Sequence, residues 1–298
     1  MSTPRTCADL LRLFDDPHAT AALAPSLHVD GPDGAIPVGA VPSVGEDVAR
    51  EGYAVVADVV PRPTCDALFR GIEELERAGL PALFVIAYDE LWSATFAVAN
   101  AVSRALGRPL VIIPDLWAWL VRPAPGARGW GPHRGFYEPV IDASGLPALV
   151  DVWIPLLDVT PENGCMVVVP QDLDPGFPTS KRVEDTPLDR ARALPATAGS
   201  AAFWGANVLH WGGTIGRRAP APRAAFSVTL RAPESERLAE FPPIRSRPSF
   251  AERVDLLAQV IETYHALDPS LGVVLEWARA HRGLTMARRK LRRPSPTA

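Results

Sequence analysis

From residue 110 onward this chain of 298 residues runs in short apolar stretches broken by Pro, Gly and Asn, and that punctuation constrains its fold most. The stretches 110–122, 149–159, 165–169, 200–204, 208–212 and 223–231 are short and rich in Val, Ile, Leu and Trp. They read as strands. Pro114 interrupts the first of them, since proline cannot donate to a sheet ladder. Between the second and third, Pro161-Glu162-Asn163-Gly164 predicts a tight hairpin, because Asn-Gly readily takes positive φ angles. An earlier stretch, 52–60, is a seventh candidate strand.

Helical periodicity brackets these strands. Leu68, Ile72 and Leu75 recur at helical spacing in 64–78, and Leu91, Ala94, Val98, Val102 and Ala105 do so in 89–106. Gly107 and Pro109 stop the second helix. Two further helical patterns, 249–267 and 271–289, follow the strands. Residues 171–197 are polar and Pro-rich and read as a long loop. Helices, short strands and helices again predict an α+β fold with an antiparallel core, most naturally a double-sheet jelly roll. The expected organisation is an N-terminal extension over 1–49, irregular or part of the same domain, with one short helix near 9–14, a core domain over 50–245, and C-terminal helices with a basic tail over 246–298 packed on or beside the core.

A net charge of −4 gives no general drive toward nucleic acid or an anionic membrane. The basic run 288–293 reads as a solvated helix end. Three widely spaced cysteines, Cys7, Cys65 and Cys165, form neither a disulfide framework nor a metal pair and fit a reducing cytoplasm. No signal-peptide pattern or bilayer-length apolar run is present.

Two histidines stand apart by their settings. His133 follows a Gly/Pro-rich loop, and His210 lies in a strand-like segment. Two imidazoles with open coordination positions suit Fe(II). Arg223 opens an apolar strand, and its rigid fork suits a carboxylate held by two parallel bonds. Arg217 and Arg218 are competitors for that role. His18, His28, His265 and His281 read as structural. Ser227 is a candidate helper of Arg223. Phe136, Tyr137, Glu138, Trp153, Asn207 and Trp211 are candidates for a substrate pocket, Trp153 and Trp211 equally as packing residues.

Four segments together resemble the phytanoyl-CoA dioxygenase family of Fe(II)/2-oxoglutarate oxygenases. REGYAVVADVVPRPTCDAL (50–68) is similar to its opening strand and helix, and GWGPHRG (129–135) to its first metal motif. VWIPLLDVTPENGCMVVVP (152–170) resembles its central segment. GSAAFWGANVLHWGG (199–213) with RAAFSVTL (223–230) resembles its second histidine and 2-oxoglutarate arginine. The resemblance implies a double-stranded β-helix (jelly roll, cupin-like) core with flanking helices. It implies iron on His133 and His210, 2-oxoglutarate on Arg223, O2 as oxidant and a small-molecule substrate, free or carrier-bound.

One position departs from the pattern. The family's first motif reads His-x-Asp or His-x-Glu, and here the acid position holds Gly135. Glycine supplies no ligand, and chloride or bromide can take an open position on iron. Radical halogenases on this fold resemble this sequence in having Gly or Ala there. The expectation is therefore a halogenase of secondary metabolism. A hydroxylase that works despite Gly135, or a catalytically silent binding protein, are the alternatives. Glu138 and Asp142 are the nearest candidate substitute acids in sequence; Glu138 stands five residues past His133 rather than two, and on an extended strand points the other way.

Overall fold

The computed structural model describes residues 6–32, 34–180, 188–235 and 238–291, with side chains as far as residue 286. The strands form two antiparallel sheets. The larger has five strands in the order β1 (Tyr53–Val56), β6 (Ala201–Gly205), β3 (Leu149–Pro155), β8 (Arg223–Arg231) and β2 (Val111–Val121). The smaller has the order β5 (Arg192–Leu194), β4 (Met166–Val168) and β7 (His210–Gly212). Helices flank the sheets, as the α+β jelly-roll reading expects.

The two sheets share one core. Trp153, Ala202, Trp204 and Ala225 of the larger sheet cluster with Met166, Val168 and Leu194 of the smaller. In each strand alternate residues face the same side. Register therefore fixes which residues meet on that inner face. Thr229, Asp151 and Trp204 form one row across β8, β3 and β6. Trp117, Ser227, Trp153 and Ala202 form the next. Trp119, Ala225 and Pro155 follow, and Arg223 opposite Val121 ends the series.

Two expectations need correction. Residues 160–164 make no hairpin. Only Gly164 takes a positive φ, 78°, and Pro161–Asn163 form a 3-10 turn stabilised by Thr160 and Asn163. The chain then leaves the larger sheet, so β3 and β4 lie in different sheets rather than pairing. The expected loop over 171–197 hides a strand, β5, whose three residues are too few to register as a pattern. Pro114 coincides with a register shift between Ile112 and Leu116 in the β2–β8 ladder.

The chain divides into two compact units. One comprises Met1–Asp33, Arg70–Trp92 and Arg247–Ala298, and the other Gly34–Phe69 and Ser93–Ser246. The chain crosses between them within α4 (Arg62–Arg77) and α5 (Asp89–Leu106). The first unit is helical and includes α1 (Cys7–Leu13), α2 (Pro17–Ala21), α6 (Phe250–Tyr264) and α7 (Leu275–Leu291). Within residues 1–49, α1 and α2 fall in the same unit as the C-terminal helices, and α3 (Gly45–Glu51) falls in the other. Phe14, Phe84 and Trp277 stack with ring centroids 5.0–5.3 Å apart. Arg253 is fully buried and bridges Asp89 at 2.5 Å and Asp30 at 2.8 Å. His28 and His281 pair with Glu90 and Asp255. The basic run 288–293 lies outside the residues with described side chains. No described helix is long and apolar enough to cross a membrane.

Removing one partner of a buried ion pair strands the other charge. Arg253→Ala is expected to destabilise the protein by about 3–5 kcal/mol, read from the denaturant midpoint.

Candidate metal and co-substrate site

His133 and His210 come together although 77 residues of chain separate them. They exchange two backbone hydrogen bonds, each N–H donating to the other's carbonyl at 3.0 Å. Their ring centroids lie 4.4 Å apart. His210 sits on β7, and its ring lies 4.6 Å from that of Trp204 in the larger sheet.

Local hydrogen bonds set the tautomer of each ring. Nδ1 of His133 lies 2.7 Å from the carbonyl of Gly131, and Nδ1 of His210 lies 3.0 Å from that of Val208. A carbonyl only accepts, so each Nδ1 carries the proton and each Nε2 keeps its lone pair. Burial lowers the pKa of His133. Burial, then the neighbouring His133 and Arg134, hold His210 well below the ordinary histidine value. Two neutral rings with free Nε2 atoms are in the state that binds a metal. Among the described residues, no three His, Cys, Asp or Glu side chains form a ready-made metal cage.

The loop carrying His133 is clamped from behind. Arg134 is buried and donates to the carbonyls of Asn207 at 2.7 Å and Ser180 at 3.0 Å. It also pairs with buried Asp174 at 2.8 Å. The Asn207 amide donates to the carbonyls of Phe136 and Glu138 at 3.0 and 2.8 Å and accepts from the Val140 N–H at 3.0 Å. Its side chain is committed to this loop, so its evident role is support rather than substrate contact. Phe136 N–H donates to Ala206 at 2.9 Å. Phe136 and Tyr137 are half-buried, whereas the Glu138 side chain faces solvent. Asp142 caps its own turn and pairs with Arg108, which removes it as a substitute acid. Trp153 packs in the inter-sheet core, and Trp211 is half-buried on β7 opposite Val167.

Arg223 is buried, whereas Arg217 and Arg218 are exposed. Its Nη1 donates to the carbonyls of Gly164 and, at 3.0 Å, Gly213. Burial lowers its pKa to about 10. Among the described residues no carboxylate forms an ion pair with it. Glycines line the guanidinium closely. A Cβ at Gly129 would stand 2.7 Å from Nη2, and one at Gly212 would stand 2.8 Å from both Nη atoms. Ser227 lies on the same face of β8, between Arg223 and Thr229.

Gly135 is exposed, yet the direction a side chain would take is filled. A Cβ there would stand 2.5 Å from Oδ2 of Asp151. The other oxygen, Oδ1, accepts from the Thr229 hydroxyl at 3.1 Å, and Oδ2 of Asp115 lies equally close to that hydroxyl. Burial, then repulsion from Asp115, raises the Asp151 pKa to about 7, with Thr229 opposing. The sequence reading passed over both acids. The available signal was a lone Asp inside each of two otherwise apolar strands, LVDVWIP and VIIPDLWAWLV.

Residues 48–219 match the phytanoyl-CoA dioxygenase (PhyH) family, and the chain belongs to that family. No curated protein matches it in sequence. Among solved structures it is similar to the non-heme monooxygenase ThoJ in its nickel complex, at 15 % identity and a TM-score of 0.51 over 76 % of this chain and all of that one. It is also similar to EvdMO1, at 15 % identity and TM-score 0.50, over 63 % of this chain and 49 % of that one. The non-heme alpha ketoglutarate dependent carbocyclase SnoK from nogalamycin biosynthesis aligns at 19 % identity and TM-score 0.49, over 68 % of this chain and 93 % of that one. The likenesses to ThoJ and EvdMO1 show the fold.

Asn207→Ala would leave backbone groups of the His133 loop without partners, each costing about 1–3 kcal/mol when buried. Lower thermal stability and weaker metal binding than in the native protein are expected, measured by calorimetry.

Proposed function

We propose that the protein is an Fe(II)/2-oxoglutarate-dependent oxygenase acting on a small molecule, with iron on Nε2 of His133 and His210 and 2-oxoglutarate on Arg223. The pair of neutral imidazoles, each with its Nδ1–H tied to its own segment's backbone, carries this reading. Arg223 fits the distal carboxylate of the co-substrate: it is a buried cation, ringed by glycines, on the face shared with Ser227. When bound, iron and 2-oxoglutarate together activate O2 to attack a carbon–hydrogen bond. The chain's own share is to orient both imidazoles and neutralise the co-substrate, with Trp204 packed beside the His210 ring.

The finer question is what completes the metal at the place Gly135 vacates. Hydroxylation or a related oxidation is favoured by the carboxylate of Asp151, which brings negative charge to that place and would repel a halide. Halogenation with chloride or bromide is the second reading, favoured by the missing side chain and by the exposure of Gly135 to solvent ions. Whether the substrate is free or carrier-bound, and whether the protein works in the cytoplasm in secondary metabolism, are parts of the same proposal that product and substrate identification would decide.

Arg223→Ala is expected to raise the 2-oxoglutarate requirement by orders of magnitude while the protein still folds. Loss of a partner for a buried anion costs about 3–5 kcal/mol, roughly a hundredfold or more in binding. Succinate release against 2-oxoglutarate concentration measures it, and an unchanged requirement would move the role to another cation.

Mass spectrometry of products formed with and without chloride or bromide separates the two outcomes. An oxygenated product indifferent to halide is expected. A halide-dependent, halogenated product would establish the second reading instead. Loss of succinate release in both His133→Ala and His210→Ala is expected under either.

A further inference from the structure

Asp151 is the acid that meets the vacated position. Three observations place it there without reference to its titration. Its Oδ2 stands where a side chain on residue 135 would begin. Its Oδ1 is held by the Thr229 hydroxyl at 3.1 Å, which aims the other oxygen toward Gly135. Its strand position is opposite Trp204, whose ring stacks on His210. One hydroxyl hydrogen cannot serve two ionised acceptors at once. The Thr229 hydroxyl, 3.1 Å from both Asp115 and Asp151, therefore donates to one of them at a time.

We propose that Asp151 takes over from β3 the function of the acid missing at residue 135, supplying the negative charge beside the metal and accepting a hydrogen bond from a water that takes the vacated position. This rests on the His133–His210 iron reading and deepens it. Asp151 is then a positioning residue, acting through the water. A carboxylate in low-dielectric surroundings attracts a dication strongly and repels a halide by the same field. It makes the neutral water, not chloride, the resident ligand. An acid at 135 would crowd the one at 151, since its Cβ would stand 2.5 Å from Oδ2 and the Asp151 side chain would have to shift.

The test measures Mn(II) affinity by titration calorimetry with 2-oxoglutarate present, in chloride-free buffer and with added chloride. The native protein should bind equally well in both. Asp151→Asn keeps the shape and removes the charge; it should bind about 10- to 100-fold more weakly without chloride, as loss of an outer-shell partner does. Chloride should recover part of that loss, and Asp151→Ala should behave alike. The double variant Gly135→Asp/Asp151→Ala should bind tightly without chloride. Asp151→Asn should not lower the melting temperature, because it removes a repulsion with Asp115, so weakened binding is not unfolding. Native-like affinity in a folded Asp151→Asn overturns the proposal, as does chloride-strengthened binding by the native protein. His133→Ala and His210→Ala are run beside it. If both bind Mn(II) normally, the iron site itself is wrong, and that failure is separate from a failure of Asp151 alone.

Discussion

Two backbone hydrogen bonds between His133 and His210 hold the site together. They join an irregular loop to β7, and the imidazoles leave the backbone side by side because the backbones are paired. Everything else in the neighbourhood keeps that pairing in place. Arg134 and Asn207, neighbours in sequence of the two pairing strands, reach away from the metal and fasten the surrounding carbonyls. The alternation of the chain does this directly: His133 points inward, so Arg134 points into the supporting layer. A buried Arg–Asp pair is weak evidence of net stability. Here its use is geometric, since Arg134 touches segments on both sides of the histidine pair.

The inner face of the larger sheet separates charge along its length. Arg223 lies at one end and Asp151, with Asp115 and Thr229, at the other. Six residues of β8 separate the Arg223 and Thr229 rows, roughly 20 Å at the usual strand rise. Tryptophans occupy the rows between them. Under the proposed function, such a surface would draw an anionic co-substrate to one end and a cation to the other. The lowered pKa of Arg223 and the raised pKa of Asp151 have the same leading cause, burial, at opposite ends of one surface. Perturbed groups of this kind mark functional sites more often than structural ones.

Much of this was legible in the sequence where the signal is periodic or local. β8 and α5 fall at the expected residues because apolar alternation and helical spacing are sustained there over nine and eighteen residues. His133, His210 and Arg223 stand out in the sequence because each sits in a distinctive segment, and the fold brings the two histidines together. The rest depended on which segments meet. Asn163-Gly164 has the composition of a hairpin, yet the strands around it belong to different sheets, and no local pattern encodes that choice. β5 is three residues long and has no period to detect. Asn207 resembled a pocket residue by its nearness to His210; only the fold shows its amide spent on carbonyls 69 and 71 residues away in sequence. Asp151 is the plainest case. Read along the chain it is one acid in an apolar strand, and across the sheet it is the neighbour of Gly135.

That neighbour changes what a missing ligand means. Read alone, glycine in place of the family acid says that a coordination position is open and that an anion from solvent is the natural occupant. Read with Asp151, the same glycine leaves room for a carboxylate, because a side chain starting at residue 135 would stand 2.5 Å from Oδ2 and push the Asp151 side chain aside. The loss of charge at one wall is accompanied by a charge on the facing wall, so the chamber's net charge need not differ from that of a relative with the acid in the loop. The residue opposite must be read before the chemistry is assigned, and in this chain that residue is an aspartate.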